Sequence, residues 1–250
     1  MRLYLSLEQV ETAPPSGRAA AIGVFDGVHR GHQRILGRAV ERAVATGAVS
    51  TAVTFYPHPE AVLRPRCAPR MLTSLERKAA LLEELGLDEV VVVRFDEGFA
   101  RLSPESFCRA VLSAHLGARV VFVGENFRFG HHGTGTAADL VEYGSTHGFE
   151  VQAVSLVEEG GETISSTRIR ALLQAGHVRE AARLLGRPHR VEGTVASGVG
   201  RGRGLDAPTA NLPADRDMAL PRSGVYATLS TVDGTEPHPS VTSVGTNPTF

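Results

Sequence analysis

Two histidines, His29 and His32, stand three residues apart at the end of the run Gly23-Val24-Phe25-Asp26-Gly27-Val28-His29-Arg30-Gly31-His32. An apolar stretch leads into that run and a helical pattern follows it. Glycines let a backbone come close to an anion, and a helix start offers N–H groups and the positive end of its dipole. An imidazole N–H aimed at the same point stabilises charge that develops on a phosphate in its transition state. The spacing therefore predicts a phosphate site. A surface helix with two solvated histidines is one alternative. Zinc is another, because histidines at i, i+3 can share a metal, but no clear third ligand accompanies them. Gly23, Gly27 and Gly31 around the pair favour phosphate.

Such a site needs a strand before it and a helix after it. Residues 19–24 read as a buried strand. Residues 33–46 read as a helix, with Leu36, Val40, Ala43 and Val44 on one face and Gly47 as the stop. Strands are expected at 50–55, ended by Tyr56-Pro57-His58-Pro59, at 89–95 with its four consecutive valines, at 119–123 and at 150–156. Thr73-Ser74-Leu75-Glu76 has the capping-box pattern of a helix running to Leu85, and Ser103-Pro104 opens another that runs to about Leu116. Helices are also expected at 137–147, from Ser165 to about Ala175, and at 178–185. Strands alternating with helices over 19–185 predict an α/β fold, a parallel sheet covered on both faces. Ligands of such sheets bind beyond the carboxyl ends of the strands, where the histidine run, Pro57-His58-Pro59, the Asn126 loop and the Ser165 segment all fall.

The character changes at Gly186-Arg187-Pro188-His189. Beyond it the chain is rich in Gly, Pro, Thr and Val, with short candidate strands at 190–196, 225–231 and 240–244. This reads as the start of a β-domain. The 250 residues carry a formal charge of −1, which gives no bulk electrostatic case for nucleic acid or an acidic membrane. Arginine heavily outnumbers lysine. The two cysteines, Cys67 and Cys108, are too few for a disulfide framework, so a reduced, cytoplasmic protein is expected. No apolar run is long enough to span a bilayer, and the N-terminus does not read as a signal peptide.

The histidine run resembles the HxGH signature of the α/β nucleotidylyltransferases. Its Phe-Asp-Gly-Val-His form is similar to that of bacterial bifunctional FAD synthetases, which join a riboflavin kinase to an FMN adenylyltransferase. Thr54-Phe55-Tyr56-Pro57-His58-Pro59, Gly124-Glu125-Asn126-Phe127-Arg128-Phe129-Gly130, Ser165-Ser166-Thr167-Arg168-Ile169-Arg170 and Leu185-Gly186-Arg187-Pro188 match that family in the same order. The resemblance implies a Rossmann-like nucleotidylyltransferase domain over 1–186 and a riboflavin kinase-like β-barrel begun over 187–250. It implies ATP, FMN and riboflavin as small-molecule substrates, with Mg²⁺.

Carried over residue by residue, His29, His32 and Asn126 are expected to be catalytic. Gly23, Phe25, Asp26, Gly31, Ser166, Thr167 and Arg168 are expected to bind ATP, and His58, Pro59 and Asn126 to bind FMN. Further on, Gly200-Arg201-Gly202-Arg203-Gly204 with Pro208-Thr209-Ala210-Asn211 resembles the riboflavin kinase signature. There the threonine and asparagine, here Thr209 and Asn211, hold Mg²⁺ and nucleotide phosphate. The sequence departs from that signature at Asp206-Ala207, where a Gly-Phe pair is usual. The family's kinase domain continues past Pro248-Thr249-Phe250, so the resemblance implies a kinase module truncated at its C-terminus and without its activity. Two other readings of the whole chain are a different HxGH nucleotidylyltransferase, acting on pantetheine phosphate, nicotinate mononucleotide or a polyol phosphate, and a flavin- or nucleotide-binding regulator without turnover.

Overall fold

A computed structural model describes residues 1–196, 209–213 and 215–245. The chain forms two compact units. One comprises Met1–Pro69 with Thr73–Ser165, the other Arg70–Leu72 with Ser166–Phe250.

The first unit is built on a six-stranded sheet whose strands are all parallel: β1 (Arg2–Tyr4), β2 (Arg18–Ile22), β3 (Val49–Tyr56), β4 (Glu89–Arg94), β5 (Ala118–Gly124) and β6 (Glu150–Val154). Their spatial order is β1-β4-β3-β2-β5-β6. The chain winds outward from β2 through β3 to β4, then returns to the other side of β2 to lay down β5. The order therefore reverses between β2 and β5, and the crevice at their carboxyl ends is where an open parallel sheet binds ligands.

Alternate residues of the strands feed two cores, as the period of two requires. Ala20, Ile22, Val53, Val91, Val93, Val121 and Val123 pack on one face against Phe107, Leu112 and Leu140. Ala19, Ala21, Ala52, Val90, Val92, Val120 and Phe122 pack on the other face against Leu36, Ala39, Leu81 and Leu82. The second face is covered by α1 (Arg30–Thr46) and α2 (Leu75–Glu84). The first is covered by the helical segment from Pro104 to His115, which turns π-helical from Phe107, and by α3 (Ala137–His147).

At the amino ends of the strands, opposite that crevice, Arg18 and Glu89 form a buried pair, Nε to Oε2 2.7 Å. Arg2 Nη2 reaches the other Glu89 oxygen at 2.7 Å, and Arg18 donates to the carbonyls of Leu116 and Glu11. Every charge in that cluster is partnered, as burial demands.

Several expectations are corrected. β1 was not anticipated; three residues carry no readable period. Helix α1 starts at Arg30 rather than Gln33, because His29 caps it. On α1 Leu36 and Ala43 are buried and Val40 packs partly buried against the same core, as expected, but Ala39 completes the stripe and Val44 is 82% exposed. Ser74, not Thr73, caps α2, accepting from the Arg77 N–H at 3.0 Å. Ser103 caps its helix as expected, and Gly47 ends α1 at φ +68°.

The second unit opens with α4 (Ser166–Ala175) and α5 (Val178–Leu185), joined through Gly176. Met71 is bonded to both sides of a turn, its N–H to Asp217 and its carbonyl from Ala219. β7 (Gly224–Ser230) and β8 (His238–Val244) form an antiparallel hairpin. Residues 190–196 are not a regular strand; Ala196 alone makes a bridge, with Asn211. Residues 200–204, Asp206-Ala207, Pro208 and Pro248-Thr249-Phe250 lie outside the described residues.

Candidate active site

The turn after β2 is built under strain. Phe25 and Val28 hold φ of +50° and +41°, and Gly27 holds +81°. Glycine takes such values freely, but a β-branched valine there is a genuine outlier that costs roughly 1–3 kcal/mol. The surrounding contacts hold it. Asp26 is 1% exposed, and its Oδ1 accepts from the Thr73 N–H at 3.2 Å and the Thr73 hydroxyl at 3.4 Å. The same hydroxyl accepts from the Gly27 N–H at 3.2 Å, and Val28 N–H closes the turn on the Phe25 carbonyl. Beneath the turn, Thr54 and Lys78 both donate to the Val24 carbonyl, at 2.9 and 2.8 Å.

The turn delivers the histidines. His29 is the N-cap of α1, and its Nδ1 accepts from the His32 N–H at 3.3 Å. That bond assigns the proton of a neutral His29 to Nε2. The rings stack with centroids 3.6 Å apart, and the His32 ring stands perpendicular to that of Phe25 with centroids 5.3 Å apart. Burial holds His32 well below the usual imidazole value of 6.5, and His29 and Lys78 push it the same way, so it is neutral at neutral pH. Its Nδ1 is buried without a partner among the described residues, which leaves an unused polar atom at a helix N-terminus.

Two glycines are needed for close approach. A Cβ on Gly23 would stand 2.8 Å from the Phe25 ring, and one on Gly31 would stand 3.1 Å from Cε1 and Nδ1 of His29.

Asn126 is on the loop after β5, turned by the bond from Phe127 N–H to the Gly124 carbonyl. Its Oδ1 lies 3.1 Å from where a Gly124 Cβ would be, beside Ile35 of α1. The carboxyl ends of β2 and β5 thus bring together Gly23, Phe25, Asp26, His29, Gly31, His32 and Asn126. His58 and Pro59 follow the neighbouring strand β3 after a cis Tyr56–Pro57 bond. There His58 Nδ1 accepts from the Glu60 N–H and caps the short helix Pro59–Leu63. Arg30 pairs with Glu159 at 2.8 Å, tying a small hairpin (Glu158–Glu159 with Glu162–Thr163) to the start of α1. Ser166, Thr167 and Arg168 form the first turn of α4 in the second unit. Thr209 and Asn211, also of that unit, are exposed, a hydroxyl and an amide oxygen of the kind a hard cation accepts.

Three residues of the site escaped the sequence reading: Thr54, Thr73 and Lys78. Thr73 reads as a helix cap, and Thr54 as one more strand residue. Lys78 had a signal, a lysine three residues after Leu75 and four before Leu82 on the inward face of an amphipathic helix.

Residues 11–168 match the model of the FAD synthetase family. The chain belongs to that family. Residues 185–250 match a second model, riboflavin kinase, so the expectation of a kinase module lost by truncation is not supported. The bifunctional riboflavin kinase/FMN adenylyltransferase of Listeria monocytogenes is 40% identical over 93% of this chain and 74% of its own length. That of Escherichia coli K12 is 36% identical over 100% of this chain and 79% of its own. A crystal structure described as a macrolide-efflux protein from Streptococcus pneumoniae matches with a TM-score of 0.87 at 31% identity, covering 99% of this chain and 80% of that one. Among the described residues of this chain, no helix is long and apolar enough to cross a membrane.

Proposed function

We propose that this chain makes FAD by transferring the adenylyl group of ATP to FMN with release of pyrophosphate, and that it also phosphorylates riboflavin to FMN. The FMN phosphate oxygen attacks the α-phosphorus in line, and no protein nucleophile is needed. Catalysis then comes from positioning and from donors aimed at developing charge. The observation that carries this reading is the stacked His29–His32 pair at the start of α1, at the sheet's switch point. His29 Nε2–H, His32 and the first-turn N–H groups of α1 face the α-phosphate end, where charge builds as pyrophosphate leaves. Asn126 orients the FMN phosphate, with His58 and Pro59 on the flavin side. Ser166, Thr167 and Arg168 hold the β- and γ-phosphates, roles carried by the family resemblance.

For the second activity, Thr209 and Asn211 would hold Mg²⁺ through a hydroxyl and an amide oxygen, neutral oxygens of the kind a hard cation accepts. When bound, Mg²⁺ would supply charge neutralisation on the phosphates. The two activities divide between modules 1–186 and 187–250, and a cytoplasmic location suits both substrate sets. The test is to incubate the protein with ATP, Mg²⁺ and FMN and follow FAD by chromatography. FAD formation supports the reading. Bound flavin without FAD points to a regulator, and neither FAD nor flavin binding points to another acceptor.

A further inference from the structure

Lys78 is the only lysine in the chain, against an arginine at every other Lys/Arg position. Among the described residues, the exposed side-chain cations other than histidine are guanidiniums. The single ammonium is instead buried, with Lys78 2% exposed. Its Nζ donates to the Val24 carbonyl at 2.8 Å and to the Thr54 hydroxyl at 3.4 Å. These are the two groups directly below the strained turn. Val24 precedes Phe25, whose ring lies perpendicular to that of His32 with centroids 5.3 Å apart. An ammonium suits this place because it is compact and directs its donors to separate acceptors, whereas a guanidinium is a wide planar fork.

We propose that Lys78 is a positioning residue of the adenylyl-transfer site, pinning the Val24 carbonyl so that the Phe25–Val28 turn holds the His29–His32 pair in place. The proposal rests on the adenylyltransferase reading for its effect on turnover, but not for its effect on His32. The charged and titratable groups around Lys78 are Asp26 from the turn and His32 from α1. Burial pulls the Lys78 ammonium down to about 8, and Asp26 opposes that shift. The lysine charge in turn helps to keep His32 neutral. No role in contacting substrate is assigned to it.

The test uses the full chain and two readouts. Lys78→Met retains the length and apolar stem and removes the donors and charge. Its kcat for FAD formation is expected to fall at least about tenfold while the ATP KM stays within about threefold, because a displaced donor set costs more in the transition state than in the ground state. Separately, the His32 imidazole is titrated by NMR with histidine labelling, its signal assigned with His32→Gln. Removing a nearby positive charge raises the His32 midpoint, by about half a pH unit or more. If Lys78→Met does not fold, as judged by thermal melting, Lys78→Gln is titrated in its place. A kcat within twofold of the parent chain, or an unchanged His32 midpoint, overturns the proposal. If the parent chain makes no FAD, the adenylyltransferase reading fails, and the His32 titration alone decides the role of Lys78.

Discussion

Gly31→Ala separates folding from chemistry at the heart of the site. Gly31 is the second residue of α1 and has no left-handed φ, so a methyl group is compatible with the backbone. Alanine in a helix is worth up to about 1 kcal/mol over glycine, and less at a first turn. The new Cβ would stand 3.1 Å from Cε1 and Nδ1 of His29, and 3.7 Å from the Ile164 carbonyl. The His29 ring must therefore move by a few tenths of an ångström. It is held by its bond from the His32 N–H and by stacking, so moving it forces an off-rotamer angle that costs about 0.5–1.5 kcal/mol. The two terms nearly cancel, and the melting temperature should change by no more than about 4 °C. Turnover should not survive as well. The methyl crowds the first-turn N–H groups and redirects His29 Nε2, and misplacement of about 1 Å costs on the order of 10²-fold, so a loss of about tenfold or more is expected. Calorimetry with steady-state FAD assays reads both numbers. Full activity would refute the role given to the glycine, and a fall of 10 °C or more would show that its role is structural.

Three further outcomes are expected. Thr73→Val removes the hydroxyl that accepts from Gly27 and donates to Asp26, so stability measured by urea unfolding should fall by about 1 kcal/mol and kcat should drop several-fold. Because His32 is held below 6.5 in the folded chain, the unfolded chain takes up that proton first as pH falls. The stability it contributes is therefore present above about pH 6.5 and is lost below it, at no more than about 1.4 kcal/mol per pH unit. Urea unfolding at pH 7.5 and 5 should show a smaller loss for His32→Gln than for the parent chain. Asn211→Ala should lower the rate of riboflavin phosphorylation by tenfold or more and leave FAD formation from added FMN within twofold, as read by chromatography of each product.

The parallel sheet was legible because its strands are long, apolar and bounded by glycine and proline, and because α1 and α2 carry a clear helical period. The β1 edge strand and the 190–196 segment were misread for opposite reasons: three residues carry no period, and β-rich composition does not require a ladder. The strand, glycine turn and helix that carry the histidine pair were legible from the apolar run and the glycines. What supports the pair was not. The left-handed φ of Phe25 and Val28 breaks the local preferences of both residues, and strain of that kind is visible only when tertiary contacts hold it. Thr73 misled because a threonine before a helix has two equally good uses, and which one wins depends on Asp26, distant in sequence.

The account stands or falls on where the adenylyl group goes. The protein is incubated with Mg²⁺, FMN and ATP labelled at the α-phosphorus, and the products are separated. The label is predicted to appear in FAD, with unlabelled pyrophosphate released in equal amount, and to fail to do so when His29 and His32 are both replaced by alanine. Label confined to ADP or AMP with no FAD formed, or FAD formed undiminished by the double replacement, would contradict it.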